Sequence, residues 1–225
     1  NVTNILMVGI AGGIPYPTKI DKHIRLGDIV ISADKGVIQF DYGKLEQSES
    51  SSSENHFIIR DWAPPPSANL QQAVRRLQAR SLRGERPWEQ YIERANTMEN
   101  FAKPNVTEDI LYDSYDQDKI LEHPSDPSRM KGQPKVHYGL IGSSNTLLKD
   151  PIKRDKLRDE QKIQAVEMEG SGIADATWIA GRAGYLLIRG ICDYCDSHKN
   201  DDWHGYAAVV AAAYMRALIE SLPDE

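Results

Sequence analysis

The feature that most constrains this chain is a recurring pair: a short apolar run bounded by glycine, then a longer stretch of helical character. IQAVE (163–167) leads into GSGIADATWIAG (170–181), and GYLLIRGI (184–191) is followed, after a polar loop, by WHGYAAVVAAAYMRALIESL (203–222). Runs this short and apolar suit strands buried on both faces, and their alternation with helices calls for a central sheet covered on both sides. ILMV (5–8), closed by Gly9 with Gly12 and Gly13 behind it, reads as a buried strand entering a tight turn. GDIVIS (27–32) and GVIQF (36–40) read as two more strands, and VHYGLIGSSNTLLKD (136–150) as a strand running into a Gly/Ser/Asn turn. The expected fold is therefore a three-layer α/β domain. With 225 residues, 40% of them hydrophobic, one domain can hold that core.

Between these segments the pattern changes. Residues 44–56 are polar and low in complexity, and are expected to form a mobile loop. Residues 103–134, rich in proline and charge, read as an irregular insertion. NLQQAVRRLQARSL (69–82) reads as a helix capped by Ser67, turning Leu70, Val74, Leu77 and Leu82 inward. Its arginines at 75, 76 and 80, with Arg83 beyond, are either a solvated face or a phosphate contact. WEQYIERANTMENFA (88–102) reads as a second helix. The chain opens directly on a core strand, so it reads as a piece of something longer.

A net charge of −6 argues against nucleic acid or an anionic membrane as the main partner. No run approaches the roughly 20 apolar residues of a membrane span. Two cysteines make no disulfide framework and suit a reducing, cytoplasmic compartment. Both fall in RGICDYCDSHKNDDWHGY (189–206). Read for ligands, Cys192, Cys195, His198 and His204 could hold zinc, or the cysteines could form a redox pair; with one Cys pair only, small buried packing residues are the simpler reading. Read for acids, Asp193 stands where a strand should end, the place where open α/β sheets bind ligands. Asp196, Asp201 and Asp202 follow in a polar loop, and Glu167 and Glu169 close another strand. Residue pattern leaves open which carboxylate meets a substrate.

Five segments in order resemble the nucleoside phosphorylase and nucleosidase superfamily: VGIAGG (8–13), LGDIVIS (26–32), GLIGSSNTLLKD (139–150), VEMEGSGIADA (166–176) and IRGICDYCDSHKN (188–200). The wording CDYCDSHKN, the insertion and the terminal helix are most similar to phosphorylase-like domains of NACHT- or repeat-containing immune proteins. The resemblance implies a phosphorylase-like mixed sheet lacking the family's first strands, which carry much of the phosphate loop and an acid that helps activate water. It implies Asp193 as general acid to purine N7, a role that calls for shelter from water. Glu169 would accept the ribose hydroxyls and Met168 would touch the sugar. Ala11, Gly12, Leu147, Leu148 and Cys192 would lie about the base, and Arg189 would help position attacking water. Asn145 stands where many relatives have Asp, and Cys192 where many have Ser. The expected activity is N-ribosyl cleavage of a purine nucleoside or nucleotide, the immune relatives' substrates including ATP. No metal or organic cofactor is expected, with phosphate a co-substrate if the reaction is phosphorolysis. A homo-oligomer fused to other domains is expected. The alternative is a non-catalytic purine-nucleotide sensor within a larger signalling protein.

Overall fold

The computed structural model describes residues 2–34, 36–46, 56–59, 65–95, 97–105, 108–180 and 184–222. Its strands are β1 (Asn4–Gly13), β2 (Ile29–Ile31), β3 (Val37–Gln39), β4 (Gly43–Glu46), β5 (His56–Ile59), β6 (Leu111–Tyr112), β7 (Ile120–Leu121), β8 (Val136–Tyr138), β9 (Leu140–Ser143), β10 (Ile163–Glu167) and β11 (Gly184–Asp193). Its α-helices are α1 (Ala68–Leu82), α2 (Glu89–Ala95), α3 (Pro151–Lys156), α4 (Gly170–Ala180) and α5 (His204–Ile219). Seven strands form one mixed sheet in the order β3-β9-β10-β1-β11-β2-β8. β8 and β9 lie near opposite margins of it, yet only Gly139 separates them in the chain. Consecutive Cα atoms are about 3.8 Å apart, so the margins must approach each other and the sheet curls. Gly139 donates its N–H to Ile31 (3.0 Å), extending the β2–β8 pairing up to the crossing.

β11 organises the core by strand alternation. Leu186, Ile188 and Cys192 face a cluster built with Leu70, Val74 and Leu77 of α1 and Val210 and Tyr214 of α5. Tyr185, Leu187 and Ile191 face the other way, toward Ala174 of α4, Val30 and Ile141. Helices thus cover both faces of the sheet, the arrangement expected from the alternating runs. Ser67 caps α1 by accepting from Leu70 N–H (3.2 Å).

Several expectations need correction. The glycines after Ile5–Val8 do not make a turn, because β1 continues through Gly13. Nor is that run fully buried. Asn4–Ile10 are of intermediate exposure, since β1 pairs with β11 along Asn4–Gly12 but with β10 only at Gly12 and Gly13. The helix expected over 88–102 ends at Ala95, and Asn100 adopts the left-handed region (φ 69°), which a continuing helix forbids. Leu82, at the last position of α1, is exposed rather than turned inward. β4 and β5 form a hairpin at the ends of the expected 44–56 loop, whose residues 47–55 lie outside those described. The insertion is irregular apart from the short β6–β7 pairing. No helix among the described residues is long and apolar enough to cross a membrane.

Candidate active site

Asp193 ends β11, buried, and both its oxygens are engaged. Oδ1 accepts from Cys195 N–H (2.9 Å), and Oδ2 lies 2.8 Å from Lys199 Nζ and 3.2 Å from Cys192 Sγ. Burial alone would push the Lys199 ammonium down, but the hydrogen bond and charge of Asp193 raise it above its ordinary value. Gly12 lies beside Asp193 across the β1–β11 pair, and a Cβ there would run into Cys195 Sγ and Asp193 Oδ1. Gly9 does the same for Arg189, whose guanidinium covers it. Gly9 and Gly12 of VGIAGG therefore make room for the Arg189 and Asp193 side chains of the neighbouring strand.

The loop after Asp193 is clamped from two directions. Tyr194 donates its hydroxyl hydrogen to Asp109 of the insertion (2.6 Å) and accepts from Leu26 N–H (3.2 Å). Its carbonyl accepts from Arg154 of α3 (2.8 Å), a buried arginine. Asp150 caps α3 by accepting from Ile152 and Lys153 N–H, and Pro151 opens it, so the segment carrying Arg154 is locally specified. Cys195 sits at φ 54°, the left-handed region that lets the chain turn back toward Lys199. A cavity of about 230 Å³ opens over Asp193, walled by Leu26, Tyr112, Cys192, His198 and Lys199.

Arg189 and the glutamates form a second cluster. Glu167 is buried and accepts from Gly170 N–H (2.9 Å) at the start of α4 and from Glu169 N–H (3.2 Å). Arg189 pairs with Glu167 and reaches Glu169 Oε2 at 3.3 Å. The side chain of Glu169 is 60% exposed, so one carboxylate of the pair is buried structure and the other is open to a ligand. Met168 and Leu147 are exposed as well, while Leu148 packs in a cluster with Val166 and Cys195.

The set Cys192, Cys195, His198 and His204 is not assembled. Both cysteines are free thiols. His198 stacks on Tyr112, with ring centroids 3.6 Å apart. Ligand atoms of Cys192, Asp193 and His204 do lie within 4.8 Å of one another, but Lys199 already holds Asp193. Burial, then the Asp193 charge, pushes the Cys192 thiol up. The arginines of α1 lie elsewhere. Arg75 pairs with Asp34 (2.9 Å), beyond the end of β2 that runs away from Asp193, because β2 is antiparallel to β11. Arg80 pairs with Glu85.

A profile of the phosphorylase superfamily matches residues 1–221. The chain belongs to that superfamily. It is 34% identical over 228 residues to a nucleotide-binding leucine-rich repeat (NLR)-like protein of Hyaloscypha variabilis, covering 95% of this chain but 21% of that protein. It is 38% identical over 78 residues to the ATP nucleosidase Cap17 of Escherichia coli, covering 34% of this chain and 15% of that one. The fold is shared with the 5′-methylthioadenosine/S-adenosylhomocysteine nucleosidase of Helicobacter pylori, at TM-score 0.58 and 16% identity over 98% of this chain and 69% of that one. The matches thus span 21% and 15% of the two curated relatives named.

In this superfamily member the expected site residues along β11 fall in two groups, with Arg189 and Asp193 on one face of the strand and Cys192 turned to the other. Asp193 and Cys192 stand beside Ala11, whose carbonyl accepts from Cys192 Sγ (3.5 Å), and Gly12. Arg189 stands with Glu169, next in sequence to Met168. Asn145 is tied through its backbone N–H to Asp41 (2.7 Å). Lys199, Tyr194 and Arg154 drew no notice in the sequence. Only the CDSHKN wording carried Lys199, and nothing local marks a lysine six residues past an aspartate as its partner.

Proposed function

We propose that this protein breaks the N-glycosidic bond of a purine nucleoside or nucleotide, as a nucleosidase or phosphorylase. What carries the reading is Asp193: a buried carboxyl at the end of a central strand, open to a cavity and held by a lysine. Asp193 gives its proton to the purine N7, because an anionic base is a poor leaving group. Lys199, one hydrogen bond away with its side chain 21% exposed, holds that carboxyl in place at the mouth of the cavity. Glu169 accepts the ribose 2′ and 3′ hydroxyls and steadies positive charge growing on the sugar. Arg189 orients the attacking water or phosphate, Met168 touches the ribose, and Leu147, Leu148, Ala11, Gly12 and Cys192 surround the base. The reading requires no metal or organic cofactor; phosphate enters only in phosphorolysis. Cap17 and the NLR-like relative support ATP as a substrate candidate and a place as one domain of a larger immune or signalling protein. We expect a homo-oligomer.

The test is adenine release from adenosine, methylthioadenosine and ATP, with and without phosphate. Asp193→Asn should lower turnover by roughly 10²- to 10⁴-fold, the usual worth of a general acid, while binding persists. No release from any purine substrate would overturn the enzyme reading. A second reading, binding without turnover, is favoured by the engagement of both Asp193 oxygens. It predicts saturable purine binding, with no release of base, in the unsubstituted protein.

A further inference from the structure

Leu26 lines two cavities: the one over Asp193, and a second of about 450 Å³ between the 25–28 segment and the insertion. Three carboxylates line the second cavity, and each is already held. Asp28 takes two bonds from Arg129 (2.6 and 2.7 Å) and lies 3.0 Å from His137 Nε2. Asp126 pairs with Lys135 (2.7 Å), and Asp109 accepts from Tyr194.

Of the cations lining the same cavity, Arg129 is taken up by Asp28, and three others are not neutralised in this way. Among the described residues Arg25, Lys103 and Lys131 make no ion pair. Arg25 Nη2 and Lys103 Nζ bond to backbone carbonyls, of Pro124 (3.2 Å) and Gly132 (2.9 Å). Arg25 Nε has no acceptor, nor has the indole N–H of Trp203, a buried wall residue of the cavity. Lys103 is partly buried over the Tyr206 ring, 5.6 Å from its centroid, and that burial lowers its pKa. The charges of Asp28 and Asp109 offset that burial only in part, and a bound anion would relieve the rest.

We infer that this second cavity binds a polyphosphate anion. Arg and Lys side chains on separate segments suit several charged oxygens strung along one ligand better than a single point anion. The volume falls in the roughly 300–1,000 Å³ range of small-ligand sites and exceeds what one phosphate would fill. The anion has two sources. It is the 5′ chain of a nucleotide whose base lies at Asp193, reached past Leu26, or it is a free polyphosphate. The first source rests on the proposed function; binding of the anion itself does not.

The experiment is isothermal titration of the protein with inorganic tripolyphosphate, with sodium chloride at matched ionic strength as control. Saturable binding is expected, about tenfold weaker in Lys131→Met and about a hundredfold weaker in Lys103→Met/Lys131→Met. Lys131 is exposed and makes no hydrogen bond among the described residues, so its variant should melt like the parent without ligand. No saturable binding, or equal binding by the double variant, overturns the inference. If ATP displaces tripolyphosphate and outbinds adenosine only while both lysines are present, the anion is the nucleotide's own chain. If tripolyphosphate binds undisturbed by ATP, the site serves a free anion. Failure to release adenine would sink the enzyme reading and leave the tripolyphosphate result standing.

Discussion

At the scale of single residues, the site depends on absent side chains as much as on present ones. Gly12 has no Cβ to collide with Asp193 Oδ1 and Cys195 Sγ, and Gly9 leaves the guanidinium of Arg189 its place. Gly12→Ala should therefore displace the carboxyl without removing it. The expected outcome is a turnover loss of at least about tenfold, as misplacement of a reacting group commonly costs. A melting-temperature measurement separates this from unfolding, because overpacking itself costs about 1–3 kcal/mol. Equal adenine release by Gly12→Ala and the parent would show that Asp193 does not need its observed position. The aspartate was legible in the sequence, as a carboxylate following a strong apolar strand. Lys199 was not, since its contact with Asp193 requires the left-handed turn at Cys195, a non-glycine residue that advertises no such conformation.

At the scale of elements, β11 and α5 carry the architecture, and Gly190 is where they meet. A Cβ on Gly190 would strike the carbonyl of Ala207 on α5, so the helix lies directly on the strand there. Backbone cannot swing away as a side-chain tip can, and Gly190→Ala should destabilise by about 1–3 kcal/mol or more, read from urea unfolding. An unchanged unfolding midpoint would mean that the helix is free to lift. The alanine-rich run of α5 announced close packing on a sheet. It could not say which strand residue would be the contact, because two elements with compatible faces can dock in several registers. β1 teaches the converse. Its apolar run reads as a core strand, but exposure depends on how much of each edge is paired, which its own residues do not encode.

At the scale of the whole molecule, the insertion is tied to the core through histidines and a buried carboxylate. Tyr16 N–H donates to His23 Nδ1 (3.2 Å), and His23 Nε2 meets His123 Nδ1 at 2.8 Å. Burial, then the neighbouring His123, Arg25 and Arg129, lowers the pKa of His23 to about 3 from an ordinary 6.5. The folded protein thus refuses a proton that the unfolded chain accepts. This contribution to stability is fully present above about pH 6.5 and is lost as pH falls toward 3. Urea midpoints should fall between pH 7.5 and about 4.5, and His23→Gln, which cannot titrate, should flatten that slope. An identical slope in the variant would place the acid sensitivity elsewhere. Asp28, held well below the carboxylate range by Arg129 and His137 against the effect of burial, acts only at lower pH.

Local pattern determined the apolar strands, the helices at 69–82 and 203–222, the α/β class and the placing of Asp193 at a strand's end. Each of these follows from periodicity and neighbours a few residues apart. Tertiary structure alone decided that VGIAGG is strand and not turn, that Arg189 divides itself between Glu167 and Glu169, and that the insertion's charges close a cavity beside the acid. Cys192 and Ala11 meet across 181 positions of sequence, and Arg129 and Asp28 across 101. Contacts at such separations come from how strands order themselves in a curled sheet, a choice made by the whole chain's packing and by no segment on its own.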